Sequence, residues 1–508
     1  MTTPRSDEDR PPAAAHDEQR RWAPAAAGYR LVAWVFLRAL ALIYLAAFAS
    51  LAVQIRALAG AGGIFPLEEQ LTAAAGEHGL MAFLAYPSLF WLAAGDWALL
   101  AVAWGGCVLA VLLLFGRWQR GLLILLYLFY LSLYHAGQMF TNFQWDFLLL
   151  ETGFLAIFLP GGSRVVVWLF RWVLFKLRFL SGASKLISAD PTWSGLTALN
   201  YYFETQPLPH TGSWYAHQLP EWLLRTGTAG TLFVELIVPF FMFLPRPWRL
   251  FAAWATILWQ ALIIATSNHN FINLLTIVLC LFLFDDRALR RVLPRRLADR
   301  LTAVSPLPAR ARQAVAVATL AAALVVLPAG AAAAAEMFAR RPLPVMGAAY
   351  RAVEPWRIAN RYHIFPTIET QRISVQIDAS LDGEHWVPLD FRYAPDDPFE
   401  RPPFIVPHQP RVDWMLWFVP MGPVFLDWLT RFGNRILAGD PRVTALLAKP
   451  PFGGRPPRML RLRVYRYRFT TPAQRAETGA WWTREDLGPF YPLPVLERKP
   501  PTARDDPG

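Results

Sequence analysis

Six ionisable side chains, Asp146, Glu151, Arg171, Lys176, Lys185 and Glu235, lie within apolar stretches between residues 31 and 335. At mid-bilayer a charge costs roughly 2.5–3.5 kcal/mol, so such residues persist where they face a bundle interior or a water-filled cavity. Asp146 and Glu151 are five residues apart. On a helix of 3.6 residues per turn that sets them about 140° apart, so they are not an aligned carboxylate pair. Each could pair with Arg171, Lys176 or Arg178 of a neighbouring helix, or handle protons or a ligand. Lys185 follows the small residues Ser181, Gly182, Ala183 and Ser184, which let helices pack closely. Desolvated, it would be a base near Asn142, Gln144 and Glu204; otherwise it snorkels outward or pairs with Asp190. His217 has no second His or Cys at ligand spacing, so no metal site is expected. His408, Gln409, Arg411 and Asp413 adjoin Trp414 and Trp417. They form either a binding surface or a local Arg411–Asp413 pair with the tryptophans packed in a core. No GxSxG, HExxH or Walker-type run is present, and no cofactor motif. Catalysis stays open, with Lys185, Glu204 and Gln144 as its candidates.

These residues need elements to hold them, and composition says which kind. The chain has 508 residues, 55% hydrophobic, with mean hydropathy +0.28. The apolar excess falls before residue 336, which leaves a membrane bundle and one further domain of about 170 residues. The net charge of +12 does not indicate nucleic acid. Arg287, Arg290, Arg291, Arg295, Arg296, Arg300, Arg310 and Arg312 fall in one short segment, expected as a loop that sets topology. The two cysteines, Cys107 and Cys280, lie inside apolar segments, so the chain is not itself a thiol oxidoreductase.

Crossing a bilayer takes about 20 apolar residues. The candidates are 31–55, 97–115, 121–140, 144–160, 165–180, 229–244, 248–265, 271–284 and 314–335, with 81–93 too short to span. The fold expected is an α-helical multi-pass membrane bundle with about nine crossings, plus a C-terminal β-rich extra-membrane domain. The bounds expected are a disordered cytoplasmic tail over 1–28, the helical domain over 29–335, the β-rich domain over 336–497 and a disordered tail over 498–508. Arg20, Arg21, Arg30, Arg117, Arg120, Arg164, Arg246 and Arg249 then share the cytoplasmic side with the Arg-rich segment. In the second half, 372–377 and 385–393 alternate as strands around an Asp382-Gly383 hairpin. A further strand is expected at 458–470, with a bulge at Val464-Tyr465, and a helix at 425–437. The Pro-dense stretches 395–423 and 450–457 are expected as extended loops.

Several strings carry a family resemblance. They are Gln144–Gly153; Gly182-x-x-Lys185-Leu186 followed by Trp193 and Leu-x-x-Glu204-Thr205-Gln206-Pro207; Ser213-Trp214-Tyr215-Ala216-His217; and Asn268-His269-Asn270-Phe271. Later come Asn360-x-Tyr362-x-x-Phe365, Ser380-x-Asp382-Gly383-x-x-Trp386, Arg401-Pro-Pro-Phe404, Pro407-His-Gln-Pro-Arg411-x-Asp413-Trp414 and Thr478-Gly-Ala-Trp-Trp482. Over residues 30–495 the chain resembles the lipase maturation factor family, membrane proteins of the endoplasmic reticulum type. The resemblance implies a membrane-anchored folding and assembly factor, a chaperone for secreted proteins, with membrane lipid and a secreted client such as a lipase as partners. His408, Gln409, Arg411, Asp413, Trp414, Trp214 and His217 are its candidate client contacts. The intramembrane polar set is Asn142, Asp146, Glu151, Arg171 and Lys176. The Arg- and Ala-rich, Lys-poor composition points to a bacterium of high GC content, hence an inner or plasma membrane with the C-terminal domain on the non-cytoplasmic side. The membrane half also distantly resembles the transmembrane module of the vitamin K-dependent γ-carboxylase. Lys185 matches that module's catalytic lysine, whereas Gln144 stands where it has a histidine. This second resemblance implies the alternative of an embedded enzyme acting on a lipid, quinone or peptide.

Overall fold

The structure, a computed structural model, describes residues 28–161, 163–303 and 308–498. The tails expected over 1–28 and 498–508 lie outside the described residues, save Gly28 and Arg498. The first half is helical: α1 Arg30–Ala52, α2 Asp96–Leu114, α3 Gln119–Ala136, α4 Gln144–Ala156, α5 Arg164–Ile187, α6 Glu221–Leu236, α7 Arg246–Thr266, α8 Ile272–Leu279 and α9 Ala309–Ala339. Five are long and apolar enough to cross a membrane: α1, α2, α6 with its continuation to Phe241, α7 and α9. The other four expected stretches are helical but shorter or more polar. The stretch at 81–93 forms only short helices with Met81, Phe83, Leu84 and Leu92 exposed.

Local chemistry sets the ends. Asp286 accepts the backbone N–H groups of Arg30 and Leu31, each at 2.9 Å, and so caps α1 from a distant part of the chain. Arg30 also donates to the Thr302 carbonyl at 2.6 Å, and Arg246 to Asp285 at 2.7 Å. The basic ends of α1, α7 and the Arg-rich segment therefore meet at one end of the bundle. Among the described residues that segment is not the loop expected: its arginines favour helix, and it forms Asp286–Leu289 and Arg295–Ala303, with Arg310 and Arg312 in the first turn of α9. Ser163 caps α5 through the Val165 N–H. A side chain at Gly182 would meet the Glu235 Cβ at 2.8 Å, so the small residues do let α5 and α6 approach closely.

The second half holds an antiparallel sheet of β1 Arg372–Ser380, β2 Val387–Pro388, β5 Met459–Phe469, β6 Trp482–Pro489 and β7 Val495–Glu497. The spatial order is β2-β1-β5-β6, with β7 also on β5. The pair β3 Asp390–Phe391 and β4 Leu447–Lys449 stands apart. The expected strand over 385–393 is thus broken: β2 joins one sheet and β3 the other. The β5–β6 register shifts between Val464 and Tyr465, where the phase of the sequence slips. The Pro-dense 395–423 stretch is not all loop, since it contains α10 Arg411–Leu416; α11 Leu426–Leu437 follows.

The halves are not separate bodies. The bundle core includes Tyr362 and Trp414, and the sheet-domain core includes Ala57, Leu58, Ile64 and Phe140. The boundary expected at 336 falls inside α9.

Candidate functional site at the bundle–domain interface

Two buried carboxylates of the bundle take partners from the second half of the chain. Asp146 receives both Arg411 terminal nitrogens at 2.7 and 2.9 Å, and the Tyr130 hydroxyl at 2.6 Å. Arg411 also donates to the Phe140 carbonyl at 2.9 Å, and both members of the pair are fully buried. Glu151 accepts from Lys176 at 2.6 Å, Tyr362 at 2.7 Å and Asn360 at 3.1 Å. Asn360 and Tyr362 belong to the N-x-Y string, so that motif closes the charge shell of a buried acid of the bundle. Of the basic partners expected, only Lys176 serves. Arg171 instead donates to the Phe282 carbonyl at 3.0 Å and the Tyr29 hydroxyl at 2.5 Å. Arg411 and Asp413 do not pair with each other. Asp413 accepts the N–H groups of Tyr393 and Ala394, and burial raises its pKa to about 6.

The rest of the same motif fastens α1 and the 266–270 turn. The Gln409 carbonyl accepts from Gln54 at 2.9 Å, and its side-chain oxygen from Asn270 at 2.9 Å. His408 lies 3.0 Å from the Ser50 hydroxyl; burial, then Arg411 and Arg392, lower its pKa to about 4, so it is neutral at pH 7. Trp414 packs edge-on against Trp145 at 5.0 Å. Trp214 donates to Thr470 at 3.3 Å and stacks edge-on with Trp481. Gln409, Arg411, Asp413, Trp414 and Trp214 are all buried.

Trp145 and Trp414 form one wall of a cavity of about 920 Å³. Leu177 of α5, Leu224 and Gly230 of α6, Trp259 and Ile263 of α7 and the loop Ile364–Pro366 supply the others. The cavity also touches Arg178, Lys185 and Glu235. Lys185 lies 2.8 Å from Glu235, donates to the Ile364 carbonyl at 2.7 Å and sits 5.0 Å over the Trp193 ring. Arg178 is 3.3 Å from the other Glu235 oxygen. Lys185 therefore neither snorkels nor pairs with Asp190, which caps the turn at Thr192 and accepts the Ile368 N–H. Asn142 and Gln144 line the cavity; Asn142 accepts from Tyr134, and Gln144 contacts His363 at 3.2 Å.

Glu204 is not in the lining. It accepts the Phe469 N–H at 2.6 Å, and burial raises its pKa. His217 is 3.8 Å away, but burial lowers its pKa, which disfavours a charged pair. Lys185 and Gln144 thus share a cavity that the third catalytic candidate does not reach. The sequence reading missed Arg178, Trp193 and His363 as cavity residues. The seven-residue spacing of Arg171, Arg178 and Lys185 puts them on one stripe of α5, a signal that was available. Among the described residues one acidic trio, Asp390, Asp396 and Glu400, has carboxylates within 4.8 Å of one another. Burial raises the Asp396 pKa to about 7, with smaller contributions from Asp390 and Glu400.

The arrangement defines a helical membrane protein whose sheet domain is locked to the bundle by motif strings on both sides of one interface. The chain belongs to the lipase maturation factor family. The family model described as lipase maturation factor transmembrane domain matches residues 31–291, and that described as lipase maturation factor C-terminal domain matches 358–492. Lipase maturation factor 1 of Bos taurus is 34% identical over 95% of this chain and 92% of the relative. Lipase maturation factor 2 of Rattus norvegicus is 32% identical over 94% of this chain and 87% of the relative. No solved structure matches the chain.

Proposed function

We propose that this protein is a membrane-anchored maturation factor that assists folding and assembly of secreted lipase-like proteins. The observation that carries this reading is the family match across both halves of the chain, with relatives named for lipase maturation. The bundle, read with nine crossings, anchors the sheet domain on the non-cytoplasmic side of a bacterial plasma membrane. In support, Arg30 and Ser50 stand at opposite ends of α1, twenty residues or about 30 Å apart, close to a hydrocarbon thickness. The Arg-rich segment contacts the first end, and the 408–409 motif contacts the second. Arginine retention on the cytoplasmic side then leaves the sheet domain outside. The buried members of the proposed client-contact set, Gln409, Arg411, Asp413, Trp414 and Trp214, act by holding the sheet domain, with His408 and His217 at its margins.

The test is co-expression of a secreted lipase with the full chain or with an Arg411→Met chain, reading lipase activity per unit of secreted lipase. Specific activity should rise only with the intact chain. Equal specific activity with and without the chain overturns the maturation role. A carboxyl-terminal tag reachable only from the cytosol overturns the orientation.

A further inference from the structure

We propose that the interface cavity is a binding site for an acyl-chain amphiphile with an anionic oxygen head group, received by Arg178 and Lys185. This ligand is independent of the client assignment. The first argument is charge. Arg178, Lys185 and Glu235 are two cations against one carboxylate, each with side-chain exposure of 5% or less. The other acid in the lining, Glu369, is exposed. A buried excess cation is costly unless paired, and an incoming anion balances it.

The second argument is hydrogen-bonding inventory. Among the described residues, Arg178 Nε, Trp193 Nε1 and Trp414 Nε1 are buried donors without an acceptor. Guanidinium and indole N–H groups can only donate, so the site asks for acceptor oxygens. Gln260 and Asn273 bond each other at 2.6 Å and leave one donor and one acceptor over. A peptide segment, bringing its own N–H groups, adds donors where donors are already in excess.

The third argument is the body of the cavity and its access. About 920 Å³ falls within the ~300–1,000 Å³ typical of small-molecule sites. Its walls are mostly aliphatic and aromatic; besides the charged cluster they carry Asn142, Gln144, Gln260, His269, Asn273 and His363. Leu223 on α6 and Leu262 on α7 line the cavity and are also exposed, on two helices long and apolar enough to cross a membrane. Entry from hydrocarbon is therefore between α6 and α7. Leu223 and Glu235 are twelve residues apart, about 18 Å of helix, which gives room for an extended chain beside the head-group cluster.

The experiment uses the purified full chain in phosphatidylcholine nanodiscs and a diazirine-bearing oleate as photoprobe. Labelling should saturate and map to α6 and α7 residues of the cavity. Oleate and oleoyl lysophosphatidate should compete, and the better competitor assigns a carboxylate or a phosphate head. Monoolein and oleylamine should compete roughly tenfold less well, the factor about 1.4 kcal/mol supplies. Ile263→Trp, which fills the cavity, and Leu223→Trp, at the exposed rim, should reduce labelling by a similar factor; Arg178→Gln should erase the preference for anionic competitors. Labelling that does not saturate, that spreads over all outward-facing helices, that ignores head-group charge or that survives both plugging variants overturns the proposal. Should the Arg178 variant fail to fold, the competition series on the unaltered chain decides.

Discussion

The molecule contains two kinds of buried charge cluster, and their difference is instructive. Asp146–Arg411 and Glu151–Lys176 are closed: each carboxylate oxygen has a donor, and tyrosine hydroxyls complete both shells. Arg178–Glu235–Lys185 is open, with an uneven charge count and a cavity on one side. A closed cluster in low dielectric specifies how two parts of a fold meet. An open one has capacity left for a ligand. The closed clusters take their last partners from residues 360–411, and so tie the bundle to the sheet domain; the open cluster is built chiefly from α5 and α6.

Breaking the closed cluster has the largest expected effect. Arg411→Met leaves Asp146 buried without its cation and should lower stability by about 3–5 kcal/mol, read as lost folded monomer in size-exclusion and thermal melts. If Arg178→Met costs as much, the distinction between closed and open clusters fails. Next is a pH effect of Asp413. Its folded pKa of about 6 exceeds the ordinary value of 3.8, so the folded state holds the proton more tightly. Its contribution is full below about pH 4 and lost as pH rises through 6, amounting to about 3 kcal/mol at 1.36 kcal/mol per pKa unit. Asp413→Asn should remove that slope in denaturation measured from pH 4 to 7. The part due to Asp396, whose window extends to about pH 7, should remain. Tyr362→Phe removes one donor from Glu151 and should cost about 1.5–3 kcal/mol; an unchanged melt would show that Lys176 and Asn360 suffice. The smallest effect is that of Leu223→Trp on the open side, within about 0.5 kcal/mol because the residue is exposed.

Much of the architecture was legible because it rests on local signals. Apolar runs marked the nine helical stretches, small residues at 181–184 marked the close approach of α5 to α6, and the phase slip at Val464-Tyr465 marked the bulge in β5. What was not legible depends on meetings between distant residues. Nothing in the order of residues says that Asp146 is 265 positions from its cation. Hence a local Arg411–Asp413 pair was one reading open from the sequence, and a Lys185–Asp190 pair another, while the partners they do have, Asp146 and Glu235, were not among them. The split of 385–393 into β2 and β3 was hidden for a similar reason: alternation is continuous there, while the sheet it joins changes. The motif strings were visible as a resemblance, but their physical role as fasteners of two halves appears only when both sides are in place.

The cap on α1 has a temporal meaning. The amide groups of Arg30 and Leu31 that open α1 find their acceptor 256 and 255 positions later, at Asp286. At roughly 5–20 residues per second, a ribosome needs on the order of 10–50 s to supply it. Until then these amides lack the acceptor they have in the folded protein, so the completed cap on α1 requires the chain to have been made at least as far as Asp286.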